Sequence, residues 1–159
     1  MEIRSYTIIL IFPIIFSSCS AKWANQLATH QNTLNRTASS SLPASQKLDT
    51  LLTSFAGMMH QAMDRLSPKT GVKYVESYAN ANEQAIFTIL ADVSDAAKNM
   101  SGGEKIALGL DLLSKSYVKD FKELLPRFQR KYAQYKLVSN LSNKVKIGLG
   151  DIAGSALGF

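Results

Sequence analysis

The stretch Met58-Met-His-Gln-Ala-Met63 gathers the side chains best suited to metal chemistry. Met59 and Met63 stand one helical turn apart with His60 between them, and thioether and imidazole together suit Cu(I). The competing reading is plain: Met59 falls on the apolar stripe of its helix, and methionine is a common filler of cores. The only other histidine is His30, so a rich ligand set is absent and no cofactor is expected. Acid–base chemistry has one thin candidate, Asp92 with Asp95 on one helical face, against which a solvated surface is the simpler account. The chain contains no Gly-x-Ser-x-Gly, no His-Glu-x-x-His and no phosphate-binding glycine loop. A non-enzymatic protein is expected.

A second constellation is Arg127-Phe-Gln-Arg-Lys-Tyr-Ala-Gln-Tyr-Lys136, in which cations alternate with Phe128, Tyr132 and Tyr135. Between Glu104 and Lys146 ten lysines and arginines face four acids, so this stretch carries the whole formal charge of +6. Arg127, Arg130, Lys131 and Lys136 are the residues expected to meet an anionic partner, through charge to phosphate and rings at an interface. Nucleic acid would satisfy the same chemistry. A bundle helix with buried rings and solvated cations explains the spacing equally well.

The single cysteine, Cys19, follows an apolar run from Tyr6 to Phe16 that carries Arg4 before it and Ser17-Ser18 after it. At 1.5 Å per residue the run spans roughly 16 Å, about half the hydrocarbon core of a bilayer, which fits an export signal rather than a permanent span. Phe16-Ser-Ser-Cys19 resembles the lipobox of bacterial lipoprotein precursors, with Phe16 where that family most often has leucine. The resemblance implies cleavage before Cys19, lipid attachment to its thiol and acylation of the new amino group. Ser20 in place of aspartate implies sorting to the outer membrane of a Gram-negative envelope. Ordinary secretion after cleavage at Ser20 or Ala21 is the alternative. Export argues against a nucleic-acid partner; an envelope protein, an anionic lipid or a cell-wall polymer fits better. The Asn-x-Ser/Thr matches at Asn35, Asn99 and Asn140 matter only in a eukaryotic secretory pathway.

These residues need helices to position them. Removal of residues 1–18 leaves a chain long enough for one core. Residues 19–44 read as a lipidated tether: Trp23, Leu27 and Leu34 suggest at most a short amphipathic helix, and Thr37-Ala-Ser-Ser-Ser-Leu-Pro43 reads as a linker. From Ser45, a plausible cap, Leu48, Leu51, Leu52, Phe55, Met59, Ala62 and Leu66 keep one face apolar. Ser67 to Gly71 ends that helix, and a second runs from about Val72 to Met100 with Val75, Ala79, Ile86, Ile89, Leu90, Val93 and Ala97 on its stripe. Ser101-Gly-Gly-Glu104 has the spacing of a capping box. The series Ile106, Leu110, Leu113, Tyr117, Phe121, Leu124, Phe128, Tyr132 and Tyr135 then continues without a phase break. Pro126 lies inside it, so this third helix is expected to kink or divide there.

The expectation is an all-α bundle of three long helices over residues 45–146, followed by a glycine-rich apolar tail over 147–159. In that tail Gly150, Gly154 and Gly158 recur every fourth residue, which permits close packing of a short segment, although a frayed end is the competing reading. Helical surface and a basic C-terminal helix point to a binding or structural module. A copper carrier or small-ligand bundle using Met59, His60 and Met63 is the alternative.

Overall fold

The computed structural model describes the backbone of residues 12–153 and the side chains of residues 22–150, except 137, 138, 148 and 149. The part of the expected export signal before Phe12, the side chain of Cys19 and the tail beyond Ala153 therefore lie outside the described residues. The described chain is all-helical, in six α-helices: α1 (Phe12–Ser39), α2 (Ala44–His60), α3 (Pro68–Asn99), α4 (Gly102–Leu113), α5 (Ser116–Tyr132) and α6 (Lys136–Ala153). A π-helical turn, Gln61–Arg65, extends α2.

The largest departure from expectation is α1. Residues 22–39 are a helix packed on the bundle, with Leu34 fully buried and Trp23 and Leu27 against the core. Two of the hydroxyls that suggested a linker instead donate back to their own helix, Thr37 to the Thr33 carbonyl at 2.8 Å and Ser39 to the Asn35 carbonyl at 2.9 Å. Only Ser40 to Pro43 breaks the chain. Lys47, almost wholly buried, fastens this corner by donating to Asp92 of α3 at 2.6 Å and to the Ala38 carbonyl at 3.4 Å. A cation at the last carbonyls of α1 also suits the helix dipole.

Helix α3 is the axis of the molecule, touched by α1, α2, the π turn and α6. A single apolar stripe cannot serve so many neighbours. The sequence stripe of Val75, Ala79, Ile86, Ile89, Val93 and Ala97 is buried, and so is a second row of Gly71, Tyr74, Tyr78, Asn82 and Ala85. On α2 the expected Leu48, Leu51, Leu52, Phe55, Met59 and Ala62 are all buried. Phe55 stacks on Phe121 of α5 at 5.8 Å between ring centroids and meets Phe128 edge-on at 6.1 Å.

The third long helix is in fact three. The breaks fall at Ser114–Lys115 and at Ala133–Tyr135, while Pro126 sits inside an unbroken α5. Pro126 and Lys122, whose carbonyl loses its helical donor, both lie on the solvent face, where an unpaired carbonyl costs least. The break before α5 separates two faces that the apolar series had joined. Tyr117, Phe121, Leu124, Phe128 and Tyr132 are buried, whereas Ile106 and Leu110 of α4 are 66% and 63% exposed and Leu112 turns inward instead. Caps also differ. Ser101 and Glu104 form both bonds of the capping box, but α2 is preceded by Pro43, and Ser45 lies within the helix without capping it. The glycine-rich segment continues α6 as helix through Ala153.

Candidate functional site

Four side chains on α5 share its outer face. Lys119, Lys122, Arg127 and Arg130 follow offsets of 3, 8 and 11 from the first, which on a helix fall along one broad stripe opposite the buried rings. All four are exposed, and Glu123 is the acid among them, 4.0 Å from Lys119. Lys122, Arg127, Arg130 and Lys131 make no ion pair with any described residue. Lys131 instead lies 5.4 Å from the Tyr132 ring centre. Lys136 stands exposed at the first position of α6, where the helix dipole disfavours a cation. Phe128 and Tyr132 are buried and Tyr135 half-buried, so the rings expected at an interface belong mainly to the core.

The copper candidates each have another engagement. Met59 is fully buried in the core, and Met63 packs against it partly covered. Both ring nitrogens of His60 are taken by carboxylates: Nδ1 lies 2.9 Å from Asp64 and Nε2 3.0 Å from Asp120 of α5. Those two hydrogen bonds raise the His60 pKa. Among the described residues, no group of three or more His, Cys, Asp or Glu side chains is placed to hold a metal ion. Asp92 and Asp95 are likewise engaged, the first by Lys47 and the second by Lys98 at 2.9 Å.

Tertiary structure assembles a site that no spacing in the chain announces. A groove of about 620 Å³, lined mainly by residues with polar side-chain ends, opens between α1, the end of α2 and the π turn, with α3 behind it. Gln26 and His30 come from α1, Gly57 and His60 from α2, Arg65 from the π turn and Tyr74 from α3. Behind His30 runs a hydrogen-bonded chain: Ser54 Oγ is 2.8 Å from His30 Nδ1 and 2.8 Å from the Tyr78 hydroxyl. Tyr78 is fully buried, and burial pushes its pKa up, so the phenol keeps its proton. With Ser54 accepting that proton, the serine hydroxyl donates to Nδ1 and the imidazole hydrogen falls on Nε2, the arrangement in which the Tyr78 hydroxyl, the Ser54 hydroxyl and Nδ1 are all satisfied. Burial lowers the His30 pKa and favours this neutral ring.

Serine beside histidine suggests a nucleophile, but Ser54 is only 6% exposed and lies beneath the imidazole. The contacts with Ser54 and, through it, Tyr78 fix the orientation of the His30 ring. In the sequence His30 is an isolated histidine in a stretch that reads as a tether. Its partners lie 24 and 48 residues further along the chain, on two other helices. The chain matches no known protein family, no curated protein and no solved structure.

Proposed function

We propose that this protein is a non-enzymatic helical binding module, held at the bacterial cell envelope by a lipid on Cys19, whose basic C-terminal surface engages an anionic partner. The observation that carries the reading is the outer face of α5. Arg127 and Arg130, with Lys122 beside them, stand exposed on one side of the helix and pair with no described acid, so the fold makes no use of their charge. Lys131 and Lys136 continue the basic surface toward α6. Anionic lipid headgroups are the partner of choice, because each nearby cation adds about 1 kcal/mol of attraction to such a surface. The lipobox-like Phe16-Ser-Ser-Cys19 supports the anchor. Among the described residues, no helix is long and apolar enough to cross a membrane.

Two measurements test this. Co-sedimentation with anionic and with zwitterionic vesicles should show binding to the first alone, weakening as salt is added. Replacing Arg127, Arg130, Lys131 and Lys136 together by Gln should weaken it at least about tenfold with helicity retained. Equal binding by that variant would remove the basic face from the proposal. Intact mass of membrane-derived protein, beside Cys19→Ala, tests the anchor separately: acyl mass on a chain starting at Cys19 is expected, and an unacylated chain starting at Ala21 or Lys22 would rule it out.

A further inference from the structure

The groove between α1 and the π turn holds polar groups that the fold leaves unused. Tyr74 is fully buried, yet its hydroxyl has no hydrogen-bond partner among the described residues. Gln26 Oε1, also buried and also lining the groove, is in the same condition. A buried polar atom without a partner is uncommon in folded proteins and calls for an explanation. Tyr74 stays protonated, its pKa pushed up to about 12 by burial, so its hydroxyl is a hydrogen-bond donor. Three further donors belong to the same groove. Arg65 makes no ion pair with a described residue. His30, with Nδ1 turned to Ser54, has Nε2–H left for the groove. Gln26 offers either end of its amide by a simple flip.

We infer that this groove binds a small oxyanion-bearing ligand, a carboxylate or a phosphate monoester, through the Arg65 guanidinium, the His30 Nε2–H and the Tyr74 hydroxyl. A planar guanidinium matches either oxyanion in a bidentate manner. Neutral donors complete such a site without a further buried charge to desolvate. His60 with Asp64 and Asp120 carries a net negative charge even when the imidazole is protonated, so attraction for an anion in the groove rests on the Arg65 guanidinium. The volume, about 620 Å³, falls within the roughly 300–1,000 Å³ usual for small-ligand sites. Arg65 and Gln61 sit on the π turn, a distortion that recurs at functional sites. Nothing in this reading depends on the outer face of α5.

Inorganic phosphate and acetate are the probes, titrated separately into isotope-labelled full-length protein with amide and side-chain shifts as the readout. Saturable shifts confined to the groove, from either anion, are expected; phosphate alone or acetate alone would name the class. Arg65→Gln should weaken binding at least about tenfold, and the four-fold α5 substitution should leave it unchanged. Tyr74→Phe gives the sharper test. It should weaken binding while raising the melting temperature of the ligand-free protein, because it deletes an unpartnered buried hydroxyl. Absence of saturable shifts, persistence of binding in Arg65→Gln, or a lower melting temperature for Tyr74→Phe would each overturn the assignment.

Discussion

His60 Nε2 lies 3.0 Å from Asp120 Oδ1, and this contact ties the end of α2 to α5 across the surface of the bundle. With Nδ1 on Asp64 at 2.9 Å, the ring is bracketed by two carboxylates. Both bonds favour the doubly protonated imidazolium, and the folded-state pKa is raised above the ordinary 6.5. The sign follows from that direction. The stabilisation is fully present below about pH 6.5 and is lost as pH rises through the higher pKa of the folded protein. His60 is 43% exposed, so solvent screening holds the gain to about 1 kcal/mol or less. Urea unfolding of the protein and of His60→Ala should show the largest stability gap in mild acid, closing toward alkaline pH. A gap independent of pH would mean that the ion pairs contribute nothing. The comparison with His60→Ala also cancels His30, whose lowered pKa acts in the opposite sense by penalising acid.

At Gly71, α3 lies hard against the π turn and α5. A Cβ there would lie 2.7 Å from the Tyr132 hydroxyl and 3.1 Å from the Ala62 carbonyl oxygen. Tyr132 donates to that same carbonyl at 3.5 Å. A methyl group must push the tyrosine off its acceptor and press on backbone. Gly71→Ala should therefore destabilise by about 1–3 kcal/mol, despite alanine's better helix propensity. Calorimetric unfolding would read this, and a rise in melting temperature would contradict the packing described.

Pro126 offers the reverse case. It occupies the interior of α5 on the exposed side and breaks no helix. Proline costs about 3 kcal/mol relative to alanine in a helix interior. Part of that is the clash and lost donor, and part is recovered because proline restricts the unfolded chain. Pro126→Ala should stabilise by about 1–2 kcal/mol, read as a higher urea midpoint with unchanged slope. A loss of stability would show that the ring shapes α5 for its packing on α2.

The helical class, the apolar stripes of α2 and α3 and the Ser101–Glu104 capping box were legible because each depends on neighbours within one or two turns. Pro126 does not divide its helix: the ring constrains local backbone, but Pro126 and Lys122 both lie on the exposed side of α5. Ile106 and Leu110 misled differently. Their spacing continued that of Tyr117 and Phe121, and nothing local announces that Ser114 and Lys115 separate two faces.

Sequence by itself determined that this chain is helical, where most of the α2, α3 and α5 core residues lie, and that positive charge gathers between Lys105 and Lys146. Periodicity and charge are properties of single segments, and a single helix suffices to express them. Tertiary structure alone decided that residues 22–39 join the bundle, that α3 is covered on two sides, and that His30, Ser54 and Tyr78 meet. Those outcomes depend on which helix covers which face. That choice is made by the shape and polar partners of segments tens of residues away, such as the Lys47–Asp92 fastening and the groove floor at Tyr74.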